Sequence, residues 1–460
     1  MSRNERAIVE DVRLVVDAGR ADVLRTVGYG LYVAALLLTT YGLTLANAFF
    51  LTQDPAWLRT QVVSWRAGLV LAVALVAGVV AAWRAGRVRG PVLPPLPWVD
   101  LVVSGPVDRA ITLRRWWLVA LGGAVSGGAM LGAVVGGGAW LSTVGDAGWL
   151  VAGGLGAAAT AWLLLLVWLA GQVSVGTPVS ASSLVRPREA LRRLRLEDLR
   201  AQSARAARMG GAVLLGDLRA IRLEVAPPVT RGRSRRLRPG RRWTAIPRRD
   251  LLGMAREPGS ALVASLVTLV GAAGLAWALL APSVPVLVAV AAGLVLHLGF
   301  SAAAEGLRLQ GDNAGTPTLL GFSVRAEALG HLALPLLVAG GSAAVTTAVV
   351  AAAHEAGAAY VLTAVGWTAL MVAVVLGTTT ASAFRGGAPV TAFLPEAGPI
   401  ALVLWVSRQA MAAALTVGGL TAAAARLGPG DVLLPAVVLA VASLAWALRR
   451  VDAVAMEHRV

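Results

Sequence analysis

The chain has 460 residues, of which 57% are hydrophobic and only 14% are charged, whereas about a quarter of the residues in a soluble domain carry charge. Together with a mean hydropathy of +0.73, this composition indicates an integral membrane protein and excludes a soluble globular domain. The chain has no cysteine, and every basic residue is arginine. Disulfides, thiolate metal sites and lysine-dependent nucleotide or Schiff-base chemistry are therefore excluded.

The first 26 residues are predicted to form an amphipathic helix on the cytoplasmic surface. Between residues 5 and 25, apolar residues recur at helical spacing while acids and arginines alternate elsewhere, a pattern typical of a helix at the membrane interface. The apolar face comprises Ile8, Val12, Val15, Gly19 and Val23. The stretch is too long and too acidic for the n-region of a cleaved signal peptide, so we expect it to be retained.

Ten stretches of about 20 apolar residues follow, the length that a hydrocarbon core of roughly 30 Å requires. We therefore predict an all-α fold, a polytopic bundle of about ten transmembrane helices. A first transmembrane block (27–172) contains four predicted spans, at approximately 27–51, 64–83, 116–140 and 148–171. A second block (259–450) contains six, at approximately 260–281, 284–304, 331–352, 358–380, 399–425 and 431–448, and a cytoplasmic tail (451–460) ends the chain.

The connector between the blocks, residues 173–258, is the one long polar stretch between them and holds 20 of the 41 arginines. Pro187 opens a predicted helix over 187–208. A second amphipathic helix is predicted over 209–225, because its apolar residues form one stripe. The stripe comprises Leu214, Leu218, Ile221 and Val225. An amphipathic, arginine-bearing stretch at 245–257 ends the connector.

The distribution of arginine predicts the orientation. With both termini inside, 37 of the 41 arginines fall in cytoplasmic segments, and only Arg59, Arg66 and Arg426 fall in outer loops, as the positive-inside rule requires. We expect a multi-pass protein of the plasma membrane. The dense run Arg231–Arg242 lies beside membrane spans, so contacts with anionic lipid headgroups, or a disordered linker, are favoured over nucleic acid.

A short internal similarity links the two blocks. The phrases SGPVDRAITLRRWWL and LGFSVRAEALGHLAL each follow the second span of a block and read as a turn that contains glycine, followed by a helix that enters the next span. Aligned at a separation of 216 residues, identical pairs occur at Gly105 and Gly321, Arg109 and Arg325, Ala110 and Ala326, and Leu113 and Leu329. Two interpretations stay open, a diverged tandem duplication or shared topology alone.

The second block resembles the membrane subunit of ABC exporters of the ABC-2 type, through the surface stretch RRDLLGMAREPG at 248–259 and the loop at 305–331. The whole chain is also similar to actinobacterial membrane proteins of this permease-like kind. The resemblance implies that Leu319–Arg325 docks on a separate ATPase and, through the internal similarity, that Val103–Arg109 does so too. Gly105, Arg109, Gly321 and Arg325 are thus candidate coupling residues. The alternative is that they turn the chain and anchor it at the headgroups.

Arg408 lies about nine residues into its predicted span. A charge at that depth, roughly 13 Å at 1.5 Å per residue, marks a candidate intramembrane functional residue. The alternative is that the span begins later and that Arg408 extends to the inner surface. His297 is a lone histidine in an apolar span, for which hydrogen-bonded packing is favoured over proton relay. Metal-ligand spacing and an HExxH motif are absent from the sequence.

Two functions from different classes fit these observations. The first is a permease-like subunit of an ATP-driven ABC exporter of unknown substrate, coupled through cytoplasmic loops to a separate ATPase. The second is a non-transporting scaffold or regulatory subunit that recruits a cytoplasmic partner. Ion-driven secondary transport is disfavoured because the spans offer almost no acidic residue to bind a coupling ion. We expect no catalytic activity in this chain and no cofactor, and homo-oligomerisation is possible.

Overall fold

The computed structural model describes residues 20–51, 64–176, 186–214, 241–317, 321–354, 357–386 and 398–457, with positions 55, 56, 58, 60, 224, 234, 236 and 237. These residues form helices joined by turns, without a strand. The chain is an all-α polytopic helical bundle, as predicted. Ten helical segments in these ranges are long and apolar enough to cross a membrane. Each lies over one of the ten predicted spans, which confirms their number.

The chain divides into two compact units, Met1–Ala226 and Pro227–Val460, and the boundary falls inside the predicted connector. In unit 1, π-helical turns lie at Leu38–Gly42 and Val99–Val103. The helices of unit 1 are α1 (Arg20–Leu37), α2 (Leu43–Leu51), α3 (Trp65–Val88), α4 (Leu96–Trp98), α5 (Arg109–Thr112), α6 (Arg114–Leu141), α7 (Ala147–Val173), α8 (Pro187–Arg193) and α9 (Leu196–Leu214).

Helices α6 and α7 pack backbone against backbone along a glycine seam. A Cβ atom added at Gly132 would collide with the carbonyl oxygen of Gly153, and one at Gly136 would collide with that of Trp149. Such close approach is typical of helices that associate inside a membrane. Because lipid gives no hydrophobic driving force between helices, small residues there let the backbones come close and gain packing contacts. The glycines at 128–138 therefore serve helix packing.

Unit 2 contains six spans, and a π-helical turn at Leu336–Gly340 joins the helices Val324–Pro335 and Gly341–Ala353 into one of them. Its core inside the spans includes Phe300 and Met371, which are fully buried. The helices of unit 2 are α10 (Arg242–Arg256), α11 (Pro258–Leu280), α12 (Val286–Ala303), α13 (Glu305–Asp312), α14 (Val324–Pro335), α15 (Gly341–Ala353), α16 (Ala358–Ala383), α17 (Gly398–Leu427) and α18 (Leu433–Glu457).

The structure corrects the prediction for the connector. The helix predicted over 187–208 is broken, because Leu194 is extended (φ −60°, ψ 120°) after α8. The second predicted helix does not begin separately, since α9 continues to Leu214. Most of its stripe, at Leu218, Ile221 and Val225, lies outside the described residues. The stretch predicted at 245–257 forms α10, as expected.

At the N-terminus, the described residues begin at Arg20, where α1 starts and continues toward the first span. Most of the predicted surface helix over 1–26, with its apolar residues Ile8, Val12, Val15 and Gly19, lies outside the described residues. That prediction therefore stays a prediction.

Candidate functional site

Residues 89–113, the loop after α3, form a compact layer with α8 and α9, which we call the unit 1 platform. Its apolar interior is built from residues of the 89–113 loop and residues of α8 and α9. Trp98, Val103 and Leu113 of the loop share one buried cluster with Leu191 of α8 and Leu199 of α9, and each is at most 2% exposed. The amphipathic pattern of α8 and α9 thus covers a loop of the same unit.

Polar contacts fix the two parts of the unit 1 platform to each other. Asp108 caps α5 by accepting a hydrogen bond from the Ala110 amide at 3.0 Å, and it pairs with Arg192 of α8 at 2.6 Å. The hydrogen bond from Arg192 holds the pKa of Asp108 below its usual value. The Arg109 guanidinium donates to the carbonyl oxygen of Leu194 at 2.7 Å, at the break between α8 and α9.

A buried pair of glutamines ties the unit 1 platform to a span. The Gln172 side chain of α7 donates to the Val92 carbonyl at 2.9 Å and accepts from the Val92 amide at 3.3 Å. It also donates to Gln202 Oε1 of α9 at 2.9 Å. Gly90 is required beside this pair, because a Cβ atom there would collide with the Gln172 amide group. The platform and α7 are therefore held together by directional bonds.

The loop of unit 2, residues 305–331, is organised differently. Ser323 caps α14 by accepting from the Ala326 amide at 3.2 Å, and Gln310 of α13 donates to the Val324 carbonyl at 2.9 Å. Gly321 has φ +61°, in the left-handed region that favours glycine. Arg325 pairs with Asp452 near the end of α18, so its partner is a carboxylate on a span.

Helix α10 packs along this loop and the start of α14. The ring centroids of Trp243 and Phe322 lie 5.2 Å apart. Farther along α10, the Asp250 carboxylate contacts His331 Nδ1 at 2.6 Å, with both side chains at most 7% exposed. Since a buried polar pair is costly to break, α10 is fastened to the span that α14 begins. We call this pair the Asp250–His331 bond.

The four candidate coupling residues occupy two loops, one in each unit. Arg109 and Arg325 both lie in the first turn of a helix. The residue that caps the helix differs in position, because Asp108 directly precedes Arg109 whereas Ser323 lies two residues before Arg325. Gly321 has a positive φ, whereas Gly105 is not among the described glycines with one. Of the predicted coupling ranges, Val103 is buried, and Leu319 lies outside the described residues.

Arg408 is an exposed residue of α17. Its guanidinium donates to the carbonyl oxygen of Arg385, just after the end of α16, at 3.3 Å. This contact places Arg408 level with the end of a neighbouring span, as in the alternative in which it extends to the membrane surface. Arg450 of α18 donates to the same carbonyl at 2.8 Å. Sequence spacing could not reveal this group, because its members come from separate segments.

His297 and an apolar groove complete the interior of unit 2. His297 is buried, with Thr378 Oγ1 at 3.2 Å from Nδ1 and Ser301 Oγ at 3.4 Å from Nε2, as the packing interpretation expects.

Toward the other end of α16, a groove of about 580 Å³ opens between α16 and α18, beside Trp367 and Leu433. Its lining is almost entirely apolar, so it suits an acyl chain or another apolar group.

No protein family model, no characterised protein and no solved structure shows detectable similarity to this chain.

Proposed function

We propose that the chain is the membrane-spanning, permease-like subunit of an ATP-driven exporter, coupled to a separate ATPase. The observation that carries the proposal is the attachment of α10 to the cytoplasmic loop of unit 2 and to the span that begins with α14. The chain has no lysine and therefore no Walker A lysine, so a partner must hydrolyse the ATP.

The contacts of unit 2 form a continuous mechanical path. A force on the exposed loop around Thr316 acts on α14 through the Gln310 hydrogen bond to Val324. The Asp250–His331 bond transmits it to α10, and the Arg325–Asp452 pair transmits it to α18. A docking partner at this loop therefore acts on two spans and a surface helix together. In this role Arg325 is a positioning residue that holds the loop on α18.

We further propose that the chain lies in the plasma membrane with both termini and both loops on the cytoplasmic side. Because the chain has no cysteine, each introduced cysteine reports on one position. Cysteines at the exposed positions Ala147, Pro282 and Gly430 should react with an impermeant maleimide in intact cells. Cysteines at Ser104 and Thr316 should react only after lysis. Labelling of Ser104→Cys or Thr316→Cys in intact cells would overturn the orientation.

The proposed function is tested by affinity purification of the tagged chain from its native host in mild detergent. The expected result is an ATP-binding-cassette subunit in fixed ratio with the chain, identified by mass spectrometry. Asp250→Ala should keep the chain folded enough to purify but should lower the ATPase activity of the complex. Asp312→Ala, an exchange of the same residue type on α13, is the matched control. The absence of any ATPase from an intact, folded preparation would refute the proposal.

A scaffold or regulatory role is the second candidate, and the unit 1 platform favours it. The platform is sealed by buried side chains and two ion pairs, and its exposed cations include Arg188 on α8 and Arg195 in the break between α8 and α9. Such a surface suits stable recruitment of an acidic cytoplasmic partner. The discriminating result is a partner in fixed ratio whose activity does not respond to Asp250→Ala.

A further inference from the structure

Four arginines from separate segments of unit 2 gather where α16 ends. Arg385 follows α16, Arg408 lies on α17 and Arg450 on α18. Arg308 lies on α13, which packs against the end of α16, since a Cβ atom added at Gly311 of α13 would collide with the carbonyl oxygen of Ala383. We call this group the arginine cluster.

Two members of the arginine cluster cap the end of α16. Arg450 donates to the carbonyl of Phe384 at 3.2 Å and to that of Arg385 at 2.8 Å, and Arg408 donates to the carbonyl of Arg385 at 3.3 Å. Free carbonyl groups at a helix end attract cations. Capping therefore accounts for the position of Arg450 and, in part, of Arg408. It does not account for Arg385.

The guanidinium of Arg385 is confined, and no carboxylate among the described residues pairs with it. It lies over the Trp405 ring, 5.4 Å from the centroid, and Arg408 lies 5.3 Å from the same ring. Arg385 donates to Ser382 Oγ at 3.0 Å, but its Nε atom is buried without a hydrogen-bond partner. Burial and the charges of Arg408 and Arg308 lower the pKa of Arg385 to about 10. It is therefore charged at neutral pH.

The carboxylates near the arginine cluster do not neutralise it. Glu305 lies 3.8 Å from Arg308, and Glu457 lies 3.7 Å from Arg450. In the part of the chain that the structure describes, Arg385 and Arg408 have no carboxylate within 4.0 Å. Two adjacent guanidiniums thus share one indole ring and lack an anion. Two like charges beside one ring, one of them half-buried, are costly unless an anion joins them.

We propose that the arginine cluster binds a phosphate group at the membrane surface, with Arg385 and Arg408 as its principal cations. Guanidinium groups match phosphate oxygens in geometry and donate two parallel hydrogen bonds to them. Trp405 lies near the start of the span Val403–Leu427, and tryptophan is enriched at the depth of the lipid headgroups. The phosphate can belong to an anionic phospholipid or be free in solution, and the chemistry of recognition is the same. The site does not depend on whether the chain transports.

The test is native mass spectrometry of the purified full chain in detergent, titrated with phosphatidylglycerol and, separately, with phosphatidylcholine. The expected result is at least a tenfold preference for phosphatidylglycerol. Arg385→Gln and Arg408→Gln should each weaken that binding about tenfold. Arg449→Gln, an exposed arginine next to Arg450 on α18, is the matched control and should leave binding unchanged. Thermal unfolding of each variant shows whether it folds.

Inorganic phosphate distinguishes the two sources. Competition by millimolar phosphate against phosphatidylglycerol shows that the site accepts the free ion as well. Binding of the lipid without competition assigns the site to the headgroup. If Arg385→Gln does not fold, Arg385→Lys takes its place. Lysine keeps the charge but lacks the planar guanidinium that donates two parallel hydrogen bonds, so this variant should bind phosphatidylglycerol several-fold more weakly than the unaltered chain. Equal binding of both lipids, or an equal loss in Arg449→Gln, would overturn the proposal.

Discussion

The two units bury their apolar side chains in different places. At most 11% of the residues in the apolar part of a unit 1 span are buried within the chain, whereas the share is 22–50% in unit 2. Most of the large buried cluster of unit 1 instead belongs to its platform, and the rest comes from the adjoining ends of α6 and α7. Unit 1 is therefore organised by a layer at the ends of its spans, and unit 2 by a core inside the spans.

The largest expected effect tests the core of unit 2. Phe300 of α12 is fully buried, so Phe300→Ala should lower the free energy of unfolding by about 4 kcal/mol. Leu298, two residues earlier on the same helix, is 50% exposed, and Leu298→Ala should change it by less than about 0.5 kcal/mol. Thermal and denaturant unfolding in detergent measures both. Equal losses would mean that the spans of unit 2 have no distinct interior.

In unit 1, replacing leucine with alanine should lower the free energy of unfolding at the platform and not in the span. Leu113 of the platform is fully buried, and Leu113→Ala should cost about 3 kcal/mol. Leu118, the fifth residue of α6, is 49% exposed, and its replacement by alanine serves as the control. Protease digestion, read separately for fragments of each unit, locates the loss. A greater loss from Leu118→Ala would contradict the comparison.

The two candidate coupling arginines should differ in a smaller way. Arg109→Gln removes a charged donor from the carbonyl of Leu194 and should destabilise unit 1 by about 2 kcal/mol. Arg325→Gln breaks an exposed ion pair with Asp452, and pairs of that kind contribute little and weaken with salt. Unfolding at low and high salt measures both. If Arg325→Gln lowered stability more than Arg109→Gln, and equally at low and high salt, the two loops would be stabilised in the same way and the comparison would fail.

The smallest effect concerns pH, and its sign differs between the units. The pKa of Asp108 is lowered by its bond with Arg192, so its stabilisation exists above its ordinary pKa of 3.8 and is lost as the pH falls below that value. Burial and Glu305 raise the pKa of Glu257, so its stabilisation exists below its ordinary pKa of 4.5 and is lost as the pH rises through the raised value.

Unfolding temperatures from pH 3 to pH 7 check both signs. Asp108→Asn should be less stable than the unaltered chain at pH 7 and should approach it at pH 3. Glu257→Gln should be more stable at pH 7 and should also approach it at pH 3. If both variants raised, or both lowered, the unfolding temperature at pH 7, the opposite signs given to Asp108 and Glu257 would be wrong.

The spans were predictable because about 20 consecutive apolar residues have few alternatives to crossing a bilayer. The break at Leu194 was not, because no glycine or proline marks it. The break depends on the burial of Leu194 and on the hydrogen bond from Arg109, which lies 85 residues away in the sequence. The arginine cluster was hidden for the same reason. Only Arg408 stood out from its neighbours, and its partners are brought close by the packing of α16, α17 and α18.

The most direct test of the central claim is site-specific cross-linking in the native host. Thr316 and Ser323 are exposed on the loop of unit 2, and Gly430 is exposed between α17 and α18. Cysteines at Thr316 and Ser323, loaded with a photoactivatable cross-linker, should capture an ATP-binding-cassette subunit, and a cysteine at Gly430 should not. Failure to capture an ATPase from either loop position, in a chain that is inserted and folded, would contradict the account, as would equal capture from Gly430.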